Sequence, residues 1–411
     1  MRPHAQATKS SVRLNCETLE DRVTPAVAWA LSGTNLLAFD TANPTITQTT
    51  AITNLTAGEA LVGIDFRPQN GLLYGLGVNA VADTATLYAI STRTGFAGVV
   101  GTASGIVFTT DGTTPVDLPD SAMVGYGFDF NPAADRVRVV AGSLNFRVNP
   151  NTGLGVDGDN TGLTSGTVTG TNPDGSINGG ASTANGSAYT NNQQTTVATP
   201  FTTLYTLDAV NNSLHIQNPP NAGTEVLGQV VTLNSGQLDF GSVSGFDIPA
   251  GVNVSANNTA VTSGSAFAVL NVGSNTGLYS INLVNGQATF IGNVGNGTTA
   301  VQGFAVQSDV GGEAAIGLGT AGGTLVRFNT AAAGDAASVS VTGLVAGETL
   351  VGIDFRPQTG QLYGLGVNAL GDFATLYLID PQTGAATIIG APSGVAFTTD
   401  GTPPVDLPTG G

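Results

Sequence analysis

Few side chains in this sequence can do chemistry, and which ones they are narrows the choices. The only histidines are His4, near the N-terminus, and His215, and the one cysteine is Cys16. A Ser, Thr or Cys nucleophile needs a base beside it, so a single histidine in the body of the chain reads as structural. One cysteine excludes an intrachain disulfide and a thiolate metal cage. A histidine-ligated zinc would have to be shared between chains.

Carboxylates are the remaining option. Asp65, Asp129 and Asp247 recur at one position of a repeated motif, and two carboxylates at a suitable separation suffice for glycoside hydrolysis. Converging on a central channel, they could bind or act on a ligand. The plainer expectation is that each bonds backbone or an arginine of the neighbouring repeat. Arg67, Arg356, Arg136, Arg138 and Arg147 stand out because lysine and arginine together number 11. Arg136 and Arg138, two apart in DRVRVV, fall on one face of a strand. With Arg67 they could hold an anionic ligand, although pairing with the recurrent aspartates is the expected use.

A third group is Asp157, Asp159 and Asn160, in the run DGDNTG. Its spacing is that of a calcium loop, but Val168 stands where an EF-hand needs glutamate. Calcium is therefore the cofactor candidate, against an Asx-rich turn. The span 157–187, which includes Asp174, is rich in Gly, Thr, Ser and Asn and reads equally as a flexible surface loop.

What must position these groups is a repeat. GIDFRP at residues 63–68 recurs at 352–357, and residues 61–119 match 350–408 at 41 of 59 positions without a gap, which marks a recent duplication. Weaker copies begin at Gly127, Gly186, Gly245 and Gly303. The intervals from Gly63 through to Gly352 are 64, 59, 59, 58 and 49 residues, the length of a four-stranded propeller blade with generous loops. Within one unit, LVGIDFRP, GLLYGLG, ATLYAIS and GFAGVVG read as four short strands separated by glycine or Thr-Gly turns.

The expected fold is all-β, a β-propeller of four-stranded blades. Residues 28–52 look like the last three strands of a blade, and Gly303 to Val306 could supply its first. This gives a five-bladed ring over 28–310 closed by a strand from each end, preceded by a tail at 1–27 and followed by a partial second copy at 311–411. A single seven-bladed ring is the alternative.

The segments GIDFRPQNGLLYGLG, TLYAISTRTG, GYGFDFNPAADRVRVV, LNFRVNPNTG, AYTNN and TTLYTLDAVNNSL together resemble the bacterial domain-of-unknown-function 4394 family, from about residue 28 to 308 and again from about 314. The resemblance implies a repeat-built β domain of bacteria, often within larger exported proteins, with no established activity. Leu14 to Ala26, containing Leu-Glu-Asp-Arg, resembles the LE-x-R motif (usual form LEPR) of exported bacterial surface proteins, which implies an extracellular or cell-surface location.

With 9% charged residues and a net charge of −17, the chain lacks the basic stripe that nucleic acid requires. No apolar run approaches the length of a transmembrane segment. The expected function is a non-catalytic exported or cell-surface binding or scaffolding module. The alternative is a carbohydrate- or lactone-active hydrolase or lyase using channel-facing aspartates, with or without calcium. Open sheet edges in the partial copy predict self-association through residues 311–411.

Overall fold

The computed structural model describes residues 26–159, 168–194, 200–308, 312–401 and 405–408. Strands and turns dominate. The one helical element among these residues is a 3-10 turn at Pro220–Ala222, consistent with a chain rich in Gly, Thr and Asn and poor in helix formers.

Among the described residues, five large sheets, antiparallel apart from one added edge strand, and a two-stranded hairpin of Thr232–Leu233 with Gly236–Gln237 occupy the first three-quarters of the sequence. The first joins both ends of this region, in the order Gly303–Val306, Val27–Ser32, Asn35–Asp40, Asn43–Ala51. The second runs Ala60–Phe66, Leu73–Asn79, Thr84–Ile90, Ala97–Val100, and the third Tyr126–Asn131, Arg136–Ala141, Leu144–Asn149, Leu154–Val156. The fourth runs Gly186–Tyr189, Leu204–Asp208, Ser213–Gln217, Thr224–Val230, with Asn178–Gly179 added in parallel at its outer edge. The fifth contains Ser242–Asp247, Ser265–Val272, Asn275–Asn282 and Ala288–Asn293.

Turn chemistry matches the local pattern. The recurring strand ends Asp208, Asn282 and Asp380 each use a side-chain oxygen to accept a backbone N–H two residues on, at 2.8–2.9 Å. That is the Asx turn that favours these residue types. At Gly95 a left-handed φ of 72° coincides with the Ala51 carbonyl 1.9 Å from where a β-carbon would lie, so only glycine fits.

The first strands of the five sheets, buried along nearly their whole length, pack against one another. Ala60–Phe66 lies against Tyr126–Asn131 and Gly303–Val306; Gly186–Tyr189 lies against Tyr126–Asn131 and Ser242–Asp247; and Ser242–Asp247 lies against Gly303–Val306. The apolar core fills the spaces between sheets. Tyr74 meets Phe130 edge-on between the second and third at 5.3 Å, and Phe39 stacks on Phe304 within the first at 6.2 Å.

Two further sheets follow, Ala314–Leu318, Thr324–Asn329, Ala337–Ser340 and then Thr349–Phe355, Leu362–Asn368, Phe373–Ile379, Ala386–Ile389. The last repeats the second sheet in detail. A register shift between Leu61 and Gly63 recurs between Leu350 and Gly352. Glu59 accepts hydrogen bonds from Thr86 and Tyr88 at 2.6 and 2.7 Å, and Glu348 accepts them from Thr375 and Tyr377 at 2.6 Å. Among the described residues no helix is long and apolar enough to cross a membrane. The LE-x-R-like segment at 14–26 lies almost wholly outside the described residues.

Candidate functional site

In each of the five first strands, the residue two after the repeat glycine occupies one equivalent position: Asp65, Asp129, Ala188, Asp247 and Ala305. The structure brings the three aspartates together, with one carboxylate oxygen of each within 4.8 Å of the others. Each residue is only 1% exposed.

Their partners are amides, many from the neighbouring strand. Asp65 accepts from the Phe130 N–H at 2.8 Å and from its own neighbour Phe66 at 2.7 Å. Asp129 accepts from Tyr189 N–H at 2.9 Å. Asp247 accepts from Val306 N–H at 2.6 Å, from Ile248 N–H, and from the Asn192 side chain at 3.3 Å. Three carboxylates thus cover the five amides that follow the equivalent positions, a self-bond appearing wherever the preceding strand carries alanine. Bonding to backbone is as the sequence implied. Among the described residues no arginine is a partner, so pairing of the recurrent aspartates with the neighbouring arginines is not what the fold uses there.

Burial holds the Asp65 and Asp129 carboxyls well above the ordinary carboxylate range, with like charge adding to the effect: Asp247 acts on Asp65, and Asp65 and then Asp247 act on Asp129. Asp247 is pushed up to about 7, again chiefly by burial. A paired-carboxylate hydrolase needs its groups in contact with substrate and roughly 5–9.5 Å apart. Here they are closed off from solvent, so a substrate has no access to them.

The arginines are divided between two settings. Arg67 is fully buried and tied to Asp135 through Nε at 2.8 Å and through Nη2, with Asn151 accepting at 2.6 Å. Asp135 reaches it from a left-handed turn conformation, φ 50°, that Asp adopts readily. Arg67 is therefore a tie between the second and third sheets, whereas its counterpart Arg356 is exposed.

Arg136 and Arg138 do share a face. Together with Arg147 they line a cavity of about 420 Å³ between the third and fourth sheets, with Tyr189, Asn221 and Asn257 opposite. Arg138 and Arg147 lie directly across from each other on adjacent strands. Both bond Asp174, Arg138 at 2.6 Å and Arg147 in a two-pronged contact at 2.7 and 2.8 Å. Arg138 also donates to Asn145 and Asn221, and its buried Nε has no hydrogen-bond partner. Asp380, from the last sheet, stands 3.6 Å from Arg136.

Of the calcium-loop candidates, Asp157 accepts the Asn172 N–H at 3.1 Å and Asp159 that of Val168 at 2.6 Å. Asn160 lies outside the described residues. Parts of the 157–187 span are held firmly: Gly158 N–H bonds Asn172 O, Thr109 N–H bonds Thr171 O, and Asp174 is the arginine partner.

Sequence reading did not anticipate two features. One is Asp174 as the shared anion of the arginine cavity, which contact between distant segments alone creates. The other is a 2.8 Å contact between Ser213 Oγ and His215 Nε2. The i, i+2 spacing on a strand was the signal available for it. Both residues are buried, burial lowers the imidazole below its ordinary value, and Nδ1 has no hydrogen-bond partner to orient the ring. A nucleophile and base without an orienting group or access to substrate do not make a triad.

Known proteins give limited further guidance. The chain is similar to a solved protein from Lactobacillus plantarum at 15% identity, covering 89% of this chain and 96% of that one, with a TM-score of 0.27. It is similar to the Dos1 propeller at 10% identity, covering 88% and 80%, TM-score 0.30. It is similar to the periplasmic gluconolactonase of Pseudomonas aeruginosa at 14% identity, covering 89% and 96%, TM-score 0.23. Likenesses this distant assign neither an activity nor a ligand. Among curated proteins none matches. Residues 35–305 and 324–407 match the family described as Domain of unknown function (DUF4394), and the chain belongs to that family.

Proposed function

We propose that this protein is a non-catalytic binding module that holds a small acidic, hydroxyl-bearing molecule, such as a sugar acid, in the arginine-lined cavity. The observation that carries this reading is the convergence of Arg136, Arg138 and Arg147 on one cavity in a chain of net charge −17. Three guanidinium charges face two carboxylates, Asp174 and Asp380, which leaves one positive charge for a ligand. Guanidinium forks match carboxylate geometry, and the amides of Asn221 and Asn257 suit hydroxyl groups. A volume of about 420 Å³ is within the ordinary range of small-molecule sites.

The module reading includes a five-bladed ring over residues 28–310 and a partial second copy over 311–411. The sheet shared by Gly303–Val306 and Val27–Ser32, and the packing of the first strands, support the ring. The LE-x-R-like segment supports export to the cell surface or beyond.

The test is calorimetric titration of the full chain with galacturonate, gluconate and inorganic phosphate, with neutral galactose as the control. Saturable binding of a sugar acid, lost in Arg136→Met/Arg147→Met, is expected. Binding unaffected by that double change, or no binding across the panel, overturns the site. Lactone or glycoside hydrolysis that Asp129→Asn abolishes would overturn the non-catalytic reading.

A further inference from the structure

The axial aspartates pose a separate problem, which the arginine cavity does not touch. Asp65, Asp129 and Asp247 come from three sheets, are 1% exposed, and among the described residues have no basic side chain as a hydrogen-bonding or ion-pair partner. Arg67, two residues from Asp65, is committed to Asp135. Buried carboxylates are ordinarily paired with a cation or bound to a metal.

Beyond the uncompensated charge, the cluster leaves one carboxylate oxygen without a donor. Asp129 Oδ2 is buried and accepts no hydrogen bond among the described residues. Amides already bond Oδ1 of Asp129 and both oxygens of Asp65 and of Asp247. The oxygen left without a donor belongs to a cluster in which each aspartate offers one carboxylate oxygen within 4.8 Å of the others.

We infer that the axis binds a hard divalent cation of calcium size, with Asp129 Oδ2 and one oxygen each from Asp65 and Asp247 as protein ligands. The donor set is all oxygen, which selects against softer metals that prefer nitrogen and sulfur. Calcium–oxygen distances of about 2.3–2.6 Å allow two ligands of one ion to stand up to roughly 5 Å apart, and magnesium at about 2.0–2.1 Å allows roughly 4 Å. A spread within 4.8 Å lies inside the calcium limit, and an enclosed site built from protein oxygens suits calcium better than magnesium, which dehydrates reluctantly and usually keeps several waters. Asp247 also bonds Val306, in the strand that joins the far end of the region to Val27–Ser32. The cation therefore braces the sheet built from both ends.

Because the site is enclosed, loading is tested through refolding. The full chain, unfolded in chelator and refolded with calcium chloride, magnesium chloride or neither, is assayed for bound metal by mass spectrometry and for its melting temperature. One calcium per chain and an upward shift of about 5 °C or more are expected, with a smaller response to magnesium. Asp129→Asn, which keeps the shape, should abolish both stoichiometry and shift, and Asp157→Asn/Asp159→Asn should retain them. The inference is overturned if refolded wild type carries no calcium, if magnesium serves equally, or if the loop variant and not Asp129→Asn loses the ion. The wild-type stoichiometry decides the matter even if Asp129→Asn fails to fold.

Discussion

Phe128 packs onto the backbone of Gly63 so closely that a β-carbon on the glycine would lie 2.5 Å from the phenylalanine Cβ. The duplicate glycine, Gly352, has nothing within 4 Å of the same point. Gly63→Ala should therefore cost about 1–3 kcal/mol through overpacking, and Gly352→Ala should stay within about 0.5 kcal/mol. Chemical denaturation of the two variants makes the comparison. Equal effects would mean that the two copies sit in like surroundings.

The amide coverage at the axis predicts a ranking. Asp65→Ala strips two amides, those of Phe66 and Phe130, whereas Asp129→Ala strips only that of Tyr189. An orphaned buried donor costs about 1–3 kcal/mol, so in chelator Asp65→Ala should be the less stable variant by about one such increment. Urea midpoints in the reverse order would contradict the coverage scheme.

Glu225 sets a pH dependence. Burial lifts its carboxyl from 4.5 to about 7, and Thr206 bonds one of its oxygens. A carboxyl whose folded value lies above its unfolded one favours folding at low pH. That stability is complete below about pH 4.5 and is lost as the pH rises through 7. The loss amounts to at most about 3 kcal/mol. His215, lowered by burial, acts in the opposite sense, destabilising the fold as the pH falls below about 6.5. The comparison that isolates Glu225 from other titrating groups is Glu225→Gln against wild type. The variant should melt higher than wild type at pH 8 and lose that advantage by pH 5.

Self-association through residues 311–411 is the remaining expectation. Ala60–Phe66 is almost wholly buried, but in its duplicate, Thr349–Phe355, Val351 is 39% exposed and Asp354 and Gly352 are also open, on an edge strand. Edge strands with free apolar groups recruit other chains. Light scattering should show a concentration-dependent dimer that Val351→Asp weakens; a monomer at several hundred micromolar would rule it out.

Much of the fold was readable because period-two strands and glycine turns are local signals. The four-strand units and the place of Gly303–Val306 beside Val27–Ser32 follow from counting along the chain. Asp65, Asp129 and Asp247 could be singled out because repetition flags equivalent positions. That they meet, and that Arg67 chooses Asp135 over any of them, depends on how sheets face one another. The same holds for Asp174, whose neighbours in sequence suggest only a loop, yet which neutralises arginines 27 and 36 residues away. The identical hexapeptide GIDFRP is buried in one copy and largely exposed in the other, so identity of sequence did not carry identity of environment.

Three carboxylates serving five amides also act as a check on assembly. An alanine-bearing strand has its amide covered only if an aspartate-bearing strand precedes it. In the observed succession, Ala305, Asp65, Asp129, Ala188, Asp247, that condition is met everywhere. Exchange the Gly186–Tyr189 strand with Ser242–Asp247 and the two alanine strands become neighbours, leaving a buried N–H without an acceptor. Repeats similar enough to mispair are thereby kept in order by a polar rule among the first strands, something their interchangeable apolar faces could not enforce.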